Sequence, residues 1–377
     1  MSIPNTSIVP LWTEWRDRFP VTRELIYLNH AAVSPLCPPA AEEMKRLADE
    51  VLHHGSHFYA TWETTYANLR QDAATLINAR KDEIAITKNT SEGLATIANG
   101  IAWRSGDKIV GFKEEFPANY FPWKRLEARG VRVEWLSVTD PLDRIDEACR
   151  GARLLAISFV QYLSGYRADL EAIGEICARH GALYVVDAIQ GLGAFPVDVR
   201  KARIHALASD GHKWLLGPEG CGILYIQKEI QDHVEPLEIG WTNFASQTYG
   251  NRNTTLRADA SRYECGTLNT IGCYGLRAAI RFLLDIGVDR IAAQVQAHAA
   301  RLADGAGAKG YEILGPREPS STSGIVSFRT PRMTAQAVVG HLRKLGIETA
   351  PREGWVRTSP HFYLGSADIE RTIEALP

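Results

Sequence analysis

The chain has 377 residues, and its 42 Lys and Arg nearly balance its 44 Asp and Glu, giving a formal net charge of −2. Such a balance provides no bulk field to attract nucleic acid or an anionic membrane, so we expect neither partner and take a small-molecule substrate as the default. The length predicts a large domain with a smaller one attached.

The cysteines and the hydropathy pattern bear on location. The six cysteines are scattered without CxxC pairs, which indicates reduced thiols in a reducing compartment. The first residues lack the basic start and apolar core of a signal peptide, and no uncharged apolar stretch approaches membrane-spanning length. We therefore expect a cytoplasmic protein.

From Glu83 onward, short β-rich runs alternate with amphipathic segments. The predicted strands are EIAIT, KIVGF, VRVEWLS, LLAISFV and ALYVVDAI, and predicted helices cover residues 91–103, 116–130 and 169–181. Such alternation predicts helices packed on a largely parallel sheet. The near-continuous apolar run of ALYVVDAI is typical of a buried parallel strand.

The composition and the hydrophobic periodicity of the sequence change after Ile226. A polar stretch over residues 240–270 has little periodicity and is interpreted as long loops. A helix over residues 273–286 follows, and then a second α/β alternation: YEILG, GIVSFRT, the helix TAQAVVGHLRKLG and a last helix from Ser366. We therefore predict a large domain over 31–275 and a smaller α/β domain over 276–377, with residues 1–30 packing on the small domain.

Polar side chains follow the buried strand. Asp187 closes ALYVVDAI, Gln190 follows in the same turn, and Lys213 comes after the next apolar run, HALAS. In an α/β sheet, ligands collect at the carboxyl ends of strands, so these residues share one candidate rim. Taken singly, each has an ordinary explanation, since Asp caps turns and Lys in a loop is usually solvated.

Together with their flanks, these residues carry a family resemblance. DAIQ followed by SDGHKWLLGPEGCGILYI resembles the cofactor site of class V aminotransferases, the pyridoxal-phosphate family that contains cysteine desulfurases, selenocysteine lyases, kynureninase and isopenicillin epimerase. The resemblance implies fold type I: an α/β large domain whose mostly parallel seven-stranded sheet lies between helices, plus a smaller C-terminal α/β domain. It also implies pyridoxal phosphate as cofactor.

By this resemblance, Lys213 is the Schiff-base lysine, and a buried Asp187 pairs with the pyridine nitrogen and keeps its proton there. Gln190 would donate to the ring oxygen. His212 would lie near the phosphate or the ring. These four residues form the core of the predicted catalytic and cofactor site.

Two further segments resemble the family's phosphate contacts. KNTSEGLATIANG places Thr90 and Ser91 at a helix start, where free amides and the helix dipole favour a phosphate, although an ordinary cap explains them too. RYECGTLNT resembles an element whose Thr, here Thr267, reaches the phosphate held by the partner subunit. That likeness implies a homodimer with active sites at the subunit interface. Leu268 replaces the family's usual Pro.

EEFPANYFPW resembles the segment that lays a ring over the cofactor. Phe116 stands where cysteine desulfurases have a histidine; it can stack but cannot relay protons, and a core position is the alternative. In SFVQYLSGYRADL, Tyr162 stands where desulfurases have an asparagine near the cofactor oxygen. Both departures resemble the branches of the family that are not desulfurases.

The predicted substrate contacts come from both ends of the chain. In VRTSPHFY, Arg357 matches the family's arginine that grips the substrate α-carboxylate, a task suited to a planar guanidinium. A surface arginine is the plain alternative. The segment YLNHAAVSPL resembles the family's start, so Asn29, His30 and Ala31 are expected to approach the substrate pocket.

Other cofactors are not expected. His53, His54 and His57 have part of a metal spacing, but Gly55 weakens the helix and no third ligand is evident, so we predict no metal site. No Walker loop or dinucleotide fingerprint is present, which argues against ATP and NAD.

The reaction itself stays open at this point. A persulfide-forming desulfurase needs a cysteine shortly before the carboxylate-binding arginine, whereas IETAPREGWVRTS has none and the last cysteine is Cys273. We expect an enzyme that acts on a small α-amino acid by transamination or by β-elimination of a sulfur-containing one. Epimerisation or kynureninase-like cleavage on the same site is the alternative, and a non-catalytic protein that binds pyridoxal phosphate is a third.

Overall fold

The computed structural model describes residues 10–246, 250 and 252–377. The strands, in chain order, are β1 Ile26–Tyr27, β2 Ile84–Thr87, β3 Lys108–Phe112, β4 Arg132–Leu136, β5 Leu154–Ser158, β6 Leu183–Asp187, β7 Ala206–Asp210, β8 Gly222–Ile226, β9 Glu312–Leu314, β10 Val326–Arg329, β11 Ile347–Glu348, β12 Ala350–Arg352 and β13 Trp355–Thr358. The α-helices are α1 Trp12–Trp15, α2 Pro38–His54, α3 Tyr59–Leu76, α4 Thr90–Gly100, α5 Phe121–Arg125, α6 Leu142–Cys149, α7 Leu170–His180, α8 Thr270–Ile286, α9 Val288–Ala308, α10 Ala335–Lys344 and α11 Ser366–Ala375.

A seven-stranded sheet with the order β2-β8-β7-β6-β5-β3-β4 forms the centre of the fold. Strands β3 to β7 pair in parallel, and β8 runs antiparallel to both of its neighbours, β7 and β2. The predicted fold class, with its mostly parallel seven-stranded sheet, is therefore confirmed.

The central strands are apolar on both faces because helices cover both sides of the sheet. Val186 and Leu207 point into one buried apolar cluster, and their neighbours Val185 and Ala206 point into another on the opposite face. Side chains alternate between the two faces of a strand, so two hydrophobic cores hold this sheet in place. The carboxyl ends of β6 and β7 stay open, as a binding site requires.

A second sheet lies in the C-terminal part of the chain. It is antiparallel, with the order β12-β13-β10-β9, and β1 pairs in parallel with β11 beside it. The division at 1–30, 31–275 and 276–377 stays a prediction. Residues 1–9 lie outside the described residues, and the boundary after residue 275 falls inside the unbroken helix α8.

The helix predicted over 116–130 is wrong in extent. The structure has only the short helix α5, with 3₁₀ turns at Pro117–Asn119 and Leu126–Arg129 on either side. Pro117 and Pro122 lack a backbone N–H, so each is tolerated only in the first turn of a helix and no single helix can run through both.

Residues 247–249 and 251 of the predicted loop region lie outside the described residues. Among the residues that the structure describes, no helix combines the length and apolar character needed to cross a membrane.

Candidate active site

A cavity of about 550 Å³ opens at the carboxyl ends of β6 and β7, between the central sheet and the β12–β13 hairpin. The sequence-predicted site residues that line it are Ala31, Thr90, Ser91, Phe116, Tyr162, Asp187, Gln190, His212, Lys213 and Arg357. Parts of the chain that are far apart in sequence therefore meet in one place.

Lys213 lies in the loop between β7 and β8. Its Nζ is 5.7 Å from the centroid of the Phe116 ring. Burial lowers the pKa of its ammonium from 10.5 to about 8, although the nearby Asp187 carboxylate acts in the opposite direction. A lysine that gives up its proton this readily can act as a nucleophile and as a base near neutral pH.

Asp187 is the last residue of β6 and is only 2% exposed. Its Oδ1 accepts a hydrogen bond of 3.1 Å from the backbone N–H of Ile189. Burial raises the pKa of this carboxyl to about 6. A cationic ring nitrogen placed against Asp187 would offset the effect of burial on its pKa and keep the carboxylate ionised.

Gln190 connects three parts of the site. Its Nε2 donates to the backbone oxygen of Ala31 at 2.9 Å, and its Oε1 accepts from Nε1 of Trp214 at 3.0 Å. Trp214 directly follows Lys213. The amide therefore ties the N-terminal segment to the lysine loop, and its second N–H is available to a ligand.

Helix α4 begins at the cavity with Thr90 and Ser91 as its first two residues. The capping residue is Asn89, which sequence reasoning missed; its side chain accepts from the N–H of Glu92. Thr90 Oγ1 accepts from the N–H of Asp210 at 3.0 Å, which leaves its hydroxyl proton free to donate to a ligand. These first amides and hydroxyls suit a phosphate.

His212 lies beside that helix start. Its Nδ1 is 3.0 Å from Oδ2 of Asp210, close enough for an ion pair but without hydrogen-bond geometry. Asp210 ends β7 and also lines the cavity. The sequence showed the apolar run HALAS before it but did not indicate that its carboxylate would face the histidine.

Arg357, on β13, is 2% exposed. Its Nη1 donates to the backbone oxygen of Tyr162 at 2.7 Å, whereas Nε and Nη2 are buried without a hydrogen-bond partner among the described residues. Burial, and then the nearby Arg352, lower the pKa of Arg357 to about 10. Two open donors on one edge of a buried guanidinium match a carboxylate.

The cavity mouth combines the sequence-predicted Tyr162 with two residues that sequence reasoning missed, Arg352 and Glu353. Tyr162 packs edge-on against Phe116 at 5.3 Å and donates its hydroxyl to Glu353. Burial and this carboxylate raise the pKa of Tyr162 to about 12. Glu353 and its neighbour Arg352 line the cavity from the tip of the β12–β13 hairpin. The Glu-Gly pair between two short β-rich runs was the available signal for that turn.

The structure does not bring His30 and Asn29 to the cavity wall. His30 is fully buried, with Nδ1 bonded to the Ser359 oxygen and Nε2 to the Tyr363 hydroxyl, each at 2.7 Å. Burial lowers its pKa to about 4, so it is a neutral core histidine. Asn29 forms a bridge with Ser359 and does not line the cavity. Only Ala31 of the three reaches it, because the chain turns into the pocket after His30.

Thr267 lies elsewhere. It lines a separate cavity of about 180 Å³ together with Tyr66, Arg70 and Trp241, and does not reach the Lys213 cavity of its own chain. Among the described residues, no group of three or more His, Cys, Asp or Glu could hold a metal ion.

The donor set fits pyridoxal phosphate. The cavity is lined by Lys213 with its lowered pKa, by the buried Asp187 and by the first residues of α4. The buried guanidinium of Arg357 adds two N–H donors without partners among the described residues. The fold and this cavity define an enzyme that uses pyridoxal phosphate as its cofactor.

Comparison with known proteins identifies the family. Residues 26–354 match the model described as aminotransferase class-V. A probable cysteine desulfurase of Pyrococcus abyssi is 33% identical over 96% of each chain. The apo structure of a cysteine desulfurase from Thermococcus onnurineus is 30% identical, with a TM-score of 0.89 over 99% of this chain and 97% of that one. The chain therefore belongs to the class-V aminotransferase family.

A cystine C–S lyase in complex with cysteine persulfide has a TM-score of 0.88 over 94% of this chain and 98% of that one. Its 23% identity supports the likeness of fold alone.

Proposed function

We propose that this enzyme is a C–S lyase that breaks the Cβ–S bond of a sulfur-containing α-amino acid by β-elimination. The observation that carries the proposal is the cavity in which Arg357 keeps two buried donors open, beside Lys213 and Asp187 and with no cysteine among the described residues that line it. Relatives named cysteine desulfurases support sulfur chemistry.

The cofactor would be held by residues of the large sheet and its loops. Lys213 would bind its aldehyde carbon and Asp187 its ring nitrogen, while Thr90 and Ser91 would receive the phosphate. Phe116 would cover one face of the ring, and Gln190 and His212 would contact its oxygen and phosphate edges. When bound, pyridoxal phosphate accepts the electron pair released at the substrate Cα.

The substrate would be oriented by Arg357, whose Nε and Nη2 would bind both oxygens of the α-carboxylate. Nη1 stays fixed to Tyr162, so the guanidinium plane is already set before the substrate arrives. Lys213, with its lowered pKa, would then take the proton from Cα.

The sulfur would leave with the electrons of the Cβ–S bond and not transfer to the protein. Cys37, Cys149, Cys177, Cys221 and Cys273 are buried, and Cys265 does not line the cavity. The hairpin that precedes Arg357 presents Arg352 and Glu353 in place of a thiol. Cysteine and cystine are therefore both candidate substrates; a fold relative named a cystine C–S lyase acts on the second.

A single turnover tests the reaction. The purified holoenzyme is mixed with individual amino acids, without any keto acid, and the products and the final form of the cofactor are read by mass spectrometry. We expect pyruvate, ammonia and a reduced sulfur product from cysteine or cystine, with the cofactor recovered as pyridoxal phosphate. Accumulated pyridoxamine phosphate would show transamination and contradict the proposal. The Lys213→Ala protein is the control and should give no turnover.

We also propose a cytoplasmic homodimer. The exposed apolar residues Leu237, Ile239 and Trp241 lie close together in the chain, and Thr267 shares a cavity with Trp241. A second copy seated there would cover this apolar surface and bring Thr267 near the neighbouring cofactor. All six cysteines are free thiols, which suits a reducing compartment.

A further inference from the structure

The tip of the β12–β13 hairpin places two oppositely charged side chains at the mouth of the active-site cavity. Arg352 ends β12, and Glu353 and Gly354 form the two-residue turn before β13. Arg352 and Glu353 both line the cavity, and neither the cofactor nor the first carboxylate of the substrate uses them. Their function is therefore unassigned by the proposed reaction.

Glu353 occupies a backbone conformation that glutamate rarely adopts. Its φ is +48° and that of Gly354 is +83°, the pattern of a hairpin turn in which Asn or Gly is the usual first residue. A non-glycine residue in this region is strained, and such strain clusters at functional sites. The side chain is held over the cavity because Tyr162 donates its hydroxyl to Glu353.

The Arg352 side chain has no ion pair or hydrogen bond in the part of the chain that the structure describes, and it does not pair with the adjacent Glu353. In the hairpin, Arg357 lies opposite Ala350 and Arg352 opposite Trp355. Arg352 and Arg357 are therefore diagonal neighbours on one face, with Cα atoms about 7–8 Å apart. Two cationic groups that face one cavity repel each other, and a single carboxylate would neutralise only one of the two charges.

This spacing suits a substrate with two amino-acid heads, meaning two groups that each carry an α-carboxylate and an α-ammonium. The Cα atoms of two cysteine residues joined by a disulfide are about 4.4–6.8 Å apart. When one carboxylate lies on Arg357, the second carboxylate of such a molecule comes within reach of the long Arg352 side chain. The second ammonium then faces Glu353. Both charges of the distal head therefore meet an opposite charge.

On the basis of the proposed function, we propose that Arg352 and Glu353 bind the second amino-acid head of a disulfide-linked substrate such as cystine. Arg352 takes the distal carboxylate and Glu353 takes the distal ammonium. Cysteine and other substrates with a single amino-acid group bring no opposite charge to Arg352 or Glu353, and the enzyme discriminates against them accordingly.

The elimination balances without a further reagent. Lys213 takes the Cα proton, the Cβ–S bond breaks, and its electron pair goes to the sulfur, which leaves as the anion of cysteine persulfide and then gains a proton. Water converts the remaining three-carbon fragment into pyruvate and ammonia. No oxidant, reductant or protein thiol takes part, in keeping with a cavity whose described lining residues include no cysteine.

The test separates recognition of the second head from the quality of the leaving group. The holoenzyme is assayed for pyruvate release from cystine, from cysteine and from S-methylthiocysteine, which has the same Cβ–S–S linkage but no second head. We expect kcat/KM to be about 10- to 100-fold higher for cystine than for S-methylthiocysteine, the range of one or two charge-assisted contacts. Arg352→Gln and Glu353→Gln should each reduce this ratio at least about 5-fold.

Arg343→Gln is the matched control, because Arg343 lies on α10 and pairs with Glu348 away from the cavity; its ratio should equal that of the unmodified enzyme. If both disulfides and cysteine release pyruvate equally well and Arg352→Gln does not change the ratio, the second-head site is refuted and the C–S lyase function stands. If no compound releases pyruvate, the proposed function fails and this inference fails with it.

Discussion

The guanidinium of Arg357 and the backbone of Tyr162 are joined by a hydrogen bond of 2.7 Å from Nη1 to the carbonyl oxygen. This contact uses one edge of the guanidinium and leaves Nε and Nη2 buried without partners among the described residues. Because Tyr162 comes from the loop after β5 and Arg357 from β13, the bond fixes the guanidinium, our proposed carboxylate-binding group, across the two parts of the chain.

Arg357→Lys should raise KM for the amino-acid substrate about 10- to 100-fold, with a smaller change in kcat. A lysine is a point charge and cannot both donate to Tyr162 and bind two carboxylate oxygens. Steady-state kinetics check this, and Arg343→Lys provides the control. An unchanged KM would show that the α-carboxylate binds elsewhere.

The capture of pyridoxal phosphate by the apoprotein should depend on pH through Lys213. Only the neutral amine attacks an aldehyde, and the pKa of Lys213 is lowered to about 8. Below pH 8 the rate should rise about tenfold per pH unit, and above it the rate should level off. Stopped-flow absorbance between pH 6 and 10 measures the profile. A rate that still rises beyond pH 10 would mean that Lys213 is not shifted.

Asp187→Asn should keep cofactor binding but lower kcat at least about 100-fold. The amide has the same shape but no negative charge, so it cannot keep a proton on the ring nitrogen. Single-turnover kinetics and the bound-cofactor spectrum separate the two effects. Asp143→Asn, at an exposed carboxylate of α6, is the control. Near-normal turnover of Asp187→Asn would refute the assigned role.

Thr267 should act on the active site of a second copy. Thr267→Asp would repel the phosphate, and Lys213→Ala lacks the amine that would bind the aldehyde and take the Cα proton, so each protein alone should be nearly inactive. If the two residues come from different subunits, mixed dimers contain one intact site, and equal mixing should recover about a quarter of the activity. The measurement follows activity after subunit exchange. No recovery would place both residues in one chain.

Local patterns identified much of the fold. ALYVVDAI predicted β6 because its apolar residues alternate between two covered faces, and DLEAIGEICARHG predicted α7, which ends at a left-handed Gly181 with a φ of 65°. The long helices α2, α3 and α9 were not predicted individually. Helix α3 illustrates the reason: its Thr, Tyr and Ala residues are helical because they pack on α8, a contact that no local pattern reveals.

The residues of the site likewise divide into those that local motifs identified and those whose position depends on tertiary packing. Lys213, Asp187 and Arg357 were recognisable because each lies in a short motif. His30 belongs to an equally recognisable motif, yet its ring nitrogens are taken up by Ser359 and Tyr363. Whether a polar side chain faces a ligand or the core depends on the residues that pack around it.

The sequence by itself determined the family and the cofactor and singled out the candidate lysine, because strand periodicity, turn residues and short motifs are properties of neighbouring residues. Only the tertiary structure decided that the Arg352–Glu353 hairpin tip faces Lys213 and that Thr267 does not. Those relationships join residues from different strands and loops, so they depend on sheet order, hairpin register and burial.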